Sequence, residues 1–176
     1  MITSKIIQST VQLGLILGLG GIVIILADAL FLGAGIIFIL KICFFIAQIA
    51  VPVYLVKKTL DIYSNSYKPR FLFYFLIFLT TNILLFAFEQ TFHNYFFPEY
   101  KAIYAEKKTQ NSRDKMEEVE TKNNLKIENK ESSLRIEYEE TIRRFNSIEI
   151  TKKYVNIGIA YLLLSMVLSG YNRKSS

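Results

Sequence analysis

The sequence predicts an all-α integral membrane protein with four transmembrane helices and an extramembrane helical arm between the third and fourth. Three observations predict it. Four apolar runs lie along a chain of 176 residues that is 52% hydrophobic. Each run approaches the ~20 residues that a helix needs to cross ~30 Å of hydrocarbon. Between the third and fourth runs the composition changes to Glu, Lys, Asn and Ser, which cannot enter a bilayer core.

The formal charge is +6, from 21 Lys and Arg against 15 Asp and Glu. Such a balance also suits nucleic-acid binding. Here the excess sits in short connections beside apolar runs, as the positive-inside rule expects. The partner it implies is the lipid bilayer and not nucleic acid. The single cysteine, Cys43, lies within an apolar run and reads as an inert thiol.

The first predicted span is residues 6–28. Gly14, Gly18 and Gly21 form a small-residue face, the pattern that lets two membrane helices approach closely. The run is too long for a signal peptide, and a second span follows at once. Asp28 ends it, and Gly33 and Gly35 are the expected turn. The second span is 35–56, with Lys41, Gln48 and Pro52 inside it; Pro52 is expected to kink the helix near its end. A cytoplasmic connection follows at 57–70, with Pro69 as a breaker. The third span, 71–90, is dense in Phe and Leu. Residues 92–98 then read as an aromatic interfacial belt, with Pro98 in the first turn of a new helix.

Residues 91–153 hold this belt and the charged arm, expected outside the cytoplasm. Leu134, Tyr138, Ile142, Phe145 and Ile148 are spaced by 4, 4, 3 and 3, which is helical spacing. Acid-first pairs four apart occur at Glu118/Lys122, Glu131/Arg135, Glu139/Arg143 and Glu140/Arg144, each stabilising a helix by about 0.3 kcal/mol. With a turn at Lys122–Asn124, these patterns predict two antiparallel limbs, each roughly 35 Å long at ~1.5 Å per residue. The last span, 154–170, is short, and a basic cytoplasmic tail occupies 171–176. With four spans, both termini and the 57–70 connection share one side carrying seven Lys and Arg. That side is predicted to be cytoplasmic.

Lys41 is the most unusual residue, a cation about 9 Å past the Gly35 turn at ~1.5 Å per residue. A charge at that depth is costly and calls for an answering group. Asp28, Glu89 and His93 are expected at the same outer end of the bundle in this topology. They suggest a charge cluster of Lys41, Asp28, Glu89 and His93. A snorkelling ion pair is the plainer expectation; a proton or ion relay is the sharper one. No phosphate loop, zinc spacing, triad or paired-carboxylate motif is present, so no catalytic, cofactor-binding or metal-binding residues are assigned.

The layout resembles a family of small inner-membrane proteins of Bacteroidetes, domain of unknown function 4199. The resemblance rests on Gly14-Leu15-Ile16-Leu17-Gly18-Leu19, the Tyr- and Lys-bearing connection before the third span, and the aromatic stretch ending in Pro98-Glu99-Tyr100. It extends to the charged helix and the short last span with its basic tail. Ser66-Tyr67-Lys68-Pro69-Arg70 stands where that family usually has a Ser-Phe/Tyr-Gly-Lys/Gln-Ala stretch. The family has no established activity, so the resemblance implies architecture alone. The expected function is a non-enzymatic scaffold or subunit of an inner-membrane complex. It would use the stripe Leu134, Tyr138, Ile142, Phe145 and Ile148 to meet other membrane or periplasmic proteins or a second copy. The alternative is a small transporter or ion-translocating subunit using Lys41, Asp28 and Glu89.

Overall fold

The computed structural model describes residues 4–31, 35–60, 67–123 and 127–171. The elements are α1 (Ser4–Phe31), α2 (Gly35–Leu60), α3 (Tyr67–Thr91), a π-helical turn (Phe92–Phe96), α4 (Tyr100–Asn123), α5 (Lys130–Arg144) and α6 (Ser147–Tyr171). Among the described residues there is no strand. Among them four segments are long and apolar enough to cross a membrane: Ile7–Phe31, Gly35–Val56, Tyr67–Phe96 and Ser147–Gly170. The chain forms two compact units, one of residues 1–88 with 152–176 and one of residues 89–151.

The first unit is a membrane-type bundle. Its outward surface is apolar: Ile16, Leu19 and Val23 on α1, Phe38, Ile39 and Phe45 on α2, and Val155, Ile159, Leu163 and Val167 on α6 are all exposed. Its interior holds polar side chains, among them Thr10, Gln48, Thr81, Ser165 and Ser169. That inversion suits a bundle in lipid. There, apolar surface gains nothing by hiding, and buried polar groups hold helices together. Val56, Phe73, Tyr74, Ile77, Phe78 and Tyr161 form the packed core.

The glycine stripe of α1 lies against α3. A Cβ placed on Gly14 would stand 2.8 Å from Thr80 Cβ and 2.9 Å from the Ile77 carbonyl. On Gly18 it would stand 2.6 Å from Leu84 Cδ2, and on Gly21 2.6 Å from Leu85 Cδ2 and 3.0 Å from Phe44 Cζ. The Thr81 hydroxyl donates to the Gly14 carbonyl at 2.9 Å, a bond that only this close approach permits.

The second unit is built on an antiparallel pair, α4 and α5, sealed by Ala105 and Leu134, which are 0% and 2% exposed. Lys108 meets Glu137 at 3.3 Å, Arg113 meets Glu131 at 3.1 Å, and Lys130 meets Glu117 and Glu120 at 3.2 and 3.0 Å. Partner numbers rise on α4 as they fall on α5, as an antiparallel register requires. Asn129 opens α5 with φ 62°, a left-handed conformation that Asn tolerates. Its carbonyl accepts from Ser132 Oγ at 2.7 Å and Ser133 N at 3.0 Å.

The candidate span on α2 is Gly35–Val56, and the helix itself continues through Pro52 to Leu60. Several expectations are corrected. α3 begins at Tyr67, which puts Pro69 in its first turn, where a missing N–H leaves no bond unmade. Pro98 instead precedes α4, in the turn closed by Tyr100 N donating to the Phe97 carbonyl at 3.2 Å. The second limb of the arm is shorter than the first: α4 has 24 residues and α5 only 15. The chain breaks at Phe145–Asn146, and α6 starts at Ser147 rather than Tyr154, so the last span belongs to a 25-residue helix. Of the local ion pairs only Glu118–Lys122 forms as expected, at 2.6 Å. Glu131 crosses to Arg113 instead, and Arg135 pairs with Glu139 at 3.0 Å. Cys43 is exposed on α2. Gly33 and Asn124 lie outside the described residues.

Candidate functional site

Lys41 enters from the second turn of α2 and Asp28 from the last turn of α1. The Lys41 ammonium donates to Asp28 Oδ2 at 2.8 Å. The side chains are 48% and 19% exposed, which places the pair on the flank of the α1–α2 hairpin. Lys41 extends its stem toward the helix ends and finds its countercharge there, as snorkelling requires. The other two members of the anticipated cluster, Glu89 and His93, belong to the second unit.

In that unit His93 is 3% exposed. Its ring lies 4.8 Å from Phe145, 5.3 Å from Tyr100 in a stacked arrangement and 5.1 Å from Phe92 edge-on. Tyr104 closes on Phe145 at 5.5 Å. Edge and face contacts at these separations are the favoured geometry of aromatic pairs. Glu89, 7% exposed, precedes His93 by four positions along the chain. Within the expected aromatic belt, Phe92 and His93 lie in a ring cluster, while Tyr95 and Phe96 are 81% and 73% exposed.

Beside this cluster lies an amide network that sequence reasoning missed. Gln90 Nε2 donates to the Ser147 carbonyl at 2.9 Å and to Thr151 Oγ1 at 3.2 Å. Asn94 Nδ2 donates to the Gln90 carbonyl at 2.8 Å and to Ser147 Oγ at 3.1 Å, and Lys101 donates to Asn94 Oδ1 at 3.2 Å. Two amides four apart beside an aromatic run were the available signal. The network ties the π-turn to the start of α6.

The anticipated partner face is divided. Leu134 is buried, Tyr138 and Ile142 are half-buried, and Phe145 belongs to the ring cluster. Ile148 is 62% exposed. The stripe is thus mainly the hairpin's own seam, because the nearest apolar surface available to α5 is α4. The outward apolar side chains of the two limbs include Val119 and Ile136, 48% and 57% exposed. At the far end, Glu120 Oε1 accepts from the Ile127 backbone N–H at 2.8 Å. Lys130 has its pKa raised above 10.5, first by its hydrogen bond to Glu120 and further by Glu117, against an opposing desolvation effect.

Inside the bundle, polar contacts between helices far apart in sequence include Thr81 to the Gly14 carbonyl, Asn82 Nδ2 to the Tyr154 carbonyl at 3.1 Å, and the Tyr161 hydroxyl to Gln48 Oε1 at 2.7 Å. Arg70 is also buried, at 1% exposure. No group of three or more His, Cys, Asp and Glu that could hold a metal occurs among the described residues.

Four membrane-length helices around a polar interior, with a charged hairpin before the last, define a polytopic helical membrane protein. The chain belongs to the family described as Protein of unknown function (DUF4199), whose model matches residues 12–174. No curated protein and no solved structure matches the chain.

Proposed function

We propose that the protein is a non-enzymatic scaffold or subunit of an inner-membrane complex that presents its α4–α5 arm to protein partners. The observation that carries this reading is the construction of the arm. Ion pairs at Lys108–Glu137, Arg113–Glu131 and Lys130–Glu117/Glu120 bridge its limbs, while Val119 and Ile136 stay exposed. A hairpin so braced keeps its shape without a partner and offers apolar side chains on a charged background. Interfaces of moderate size use that mixture.

In this reading both termini are cytoplasmic, since they share a side with the basic 57–70 connection, and the arm is extracytoplasmic. The test is crosslinking in membranes from a photoreactive residue at exposed Glu140, one turn from Ile136 on α5, repeated with Val119→Ser and Ile136→Ser in the same chain. Discrete crosslinked proteins that disappear in the double variant support the proposal. The same set of co-purifying proteins with and without the substitutions sinks it.

The alternative is an ion-translocating subunit using Lys41, Asp28 and Glu89. It has less support, because Lys41 is already paired with Asp28 at 2.8 Å on a half-exposed flank. Loss of transport in Lys41→Ala at undiminished expression would favour that alternative.

A further inference from the structure

Gln48 lies halfway along α2, thirteen residues after Gly35 and twelve before Leu60. It is 4% exposed. Its Oε1 accepts from the Tyr161 hydroxyl at 2.7 Å, and its Nε2 has no hydrogen-bond partner among the described residues. Turning the amide over does not help. Nε2 would then donate to the phenol oxygen, and Oε1 and the phenol proton would be left instead. One amide facing one hydroxyl cannot be satisfied by that contact alone.

The residue four positions on is Pro52, which is fully buried. A helix bonds each carbonyl to the N–H four residues later, and proline has no N–H. The Gln48 carbonyl therefore lacks its regular helical donor. One residue at mid-membrane thus carries an unmet side-chain donor and a backbone acceptor deprived of its partner. Backbone freed in this way within a membrane protein is tolerated where another group re-satisfies it or where it lines a hydrated space.

We propose that Gln48, the backbone opening made by Pro52, and Tyr161 form a mid-membrane hydration site. A water molecule there accepts from Gln48 Nε2 and donates to the Gln48 carbonyl. Water has the required donor and acceptor on one atom, and buried water characteristically bridges such leftover groups. The Phe78 ring, stacked on Tyr161 at 4.8 Å, forms the apolar wall beside it.

The test is radiolytic hydroxyl-radical labelling of the full chain in lipid nanodiscs, reading oxidation at Tyr161 and Phe78. Held water generates radicals in place, so these buried rings label in the native protein. In Gln48→Met, which keeps the volume and removes the amide, labelling falls about tenfold. Pro52→Ala restores the N–H at position 52 and also lowers the yield, which keeps the test decisive if the methionine variant does not fold. Native rings that resist labelling would overturn the proposal. So would labelling unchanged in a folded Gln48→Met or Pro52→Ala, since water would then reach Tyr161 without this site.

Discussion

Thr81 reaches across from α3 to donate its hydroxyl to the backbone carbonyl of Gly14 on α1 at 2.9 Å. Only a glycine allows that approach, because any Cβ at position 14 would meet the Thr80 Cβ and the Ile77 carbonyl. A first prediction follows from what each glycine touches. Gly14→Ala presses on backbone and on a stiff β-branched side chain, so overpacking costs about 1–3 kcal/mol. Gly18→Ala meets Leu84 Cδ2 most closely, an end that can rotate away, with Leu84 Cβ and Cγ at 3.3 Å, and gains roughly 0.5–1 kcal/mol of helix propensity that offsets the remaining crowding. Thermal melting in detergent should show Gly14→Ala clearly destabilised and Gly18→Ala near native. Equal losses would mean that the two contacts do not differ in this way.

The arm should respond to alkali at its far end. Lys130 has a pKa raised above 10.5, chiefly by Glu120. A raised folded-state value means that its contribution to stability is complete below 10.5 and disappears as pH climbs through the raised value. Limited proteolysis of the α4–α5 turn should therefore be constant from neutral pH to about 10 and accelerate above it. Lys130→Met should be cut faster at neutral pH and show a weaker alkaline acceleration. A turn that Lys130→Met leaves equally resistant at neutral pH would remove the ion pairs from the account.

Asp28 and Lys41 form an ion pair at 2.8 Å, and a single charge left behind is worse than none. Asp28→Asn should lower membrane yield and melting temperature by the equivalent of about 0.5–1 kcal/mol, a figure reduced by exposure and typical of polar contacts in membrane proteins. Asp28→Asn with Lys41→Gln should recover most of it. A double variant as impaired as the single one would show that the two do not act as a pair.

Phe145 joins His93, Tyr100 and Tyr104 in the ring cluster. Its truncation should loosen that corner of the second unit. Phe145→Ala is expected to cost on the order of 2 kcal/mol, less than the roughly 3–5 kcal/mol of a fully buried ring. Hydrogen exchange should rise first in Phe92–Tyr104. Exchange that rises evenly along the chain would argue against a local node.

The four spans were legible because a run such as Gly35–Val56 has no alternative to burial in lipid. The glycine face of α1 was legible because small residues four apart have a narrow range of uses. What the sequence left open depends on which surfaces meet. Leu134 and Phe145 announce that something covers them, and an amphipathic stripe does not say whether that is α4 or another protein. Arg135 had an acid on either side at the same spacing, Glu131 and Glu139, and Arg113 on the other limb decided between them. Gln48 and Tyr161 are 113 residues apart, beyond any periodicity. Pro69 and the later start expected for the last helix misled because proline and a short apolar core both resemble boundaries. The chain instead uses the proline to begin a helix and extends the last helix through the polar Ser147–Lys153 stretch.

The proposed topology has four spans, the arm outside and the termini inside. Impermeant maleimide labelling of intact cells addresses it most directly, in a Cys43→Ala background with single cysteines in place of Ser64, Ser112 or Ser175. Labelling at position 112 alone is the expected result. Labelling at 64 or 175 with 112 protected would contradict it and place the arm in the cytoplasm.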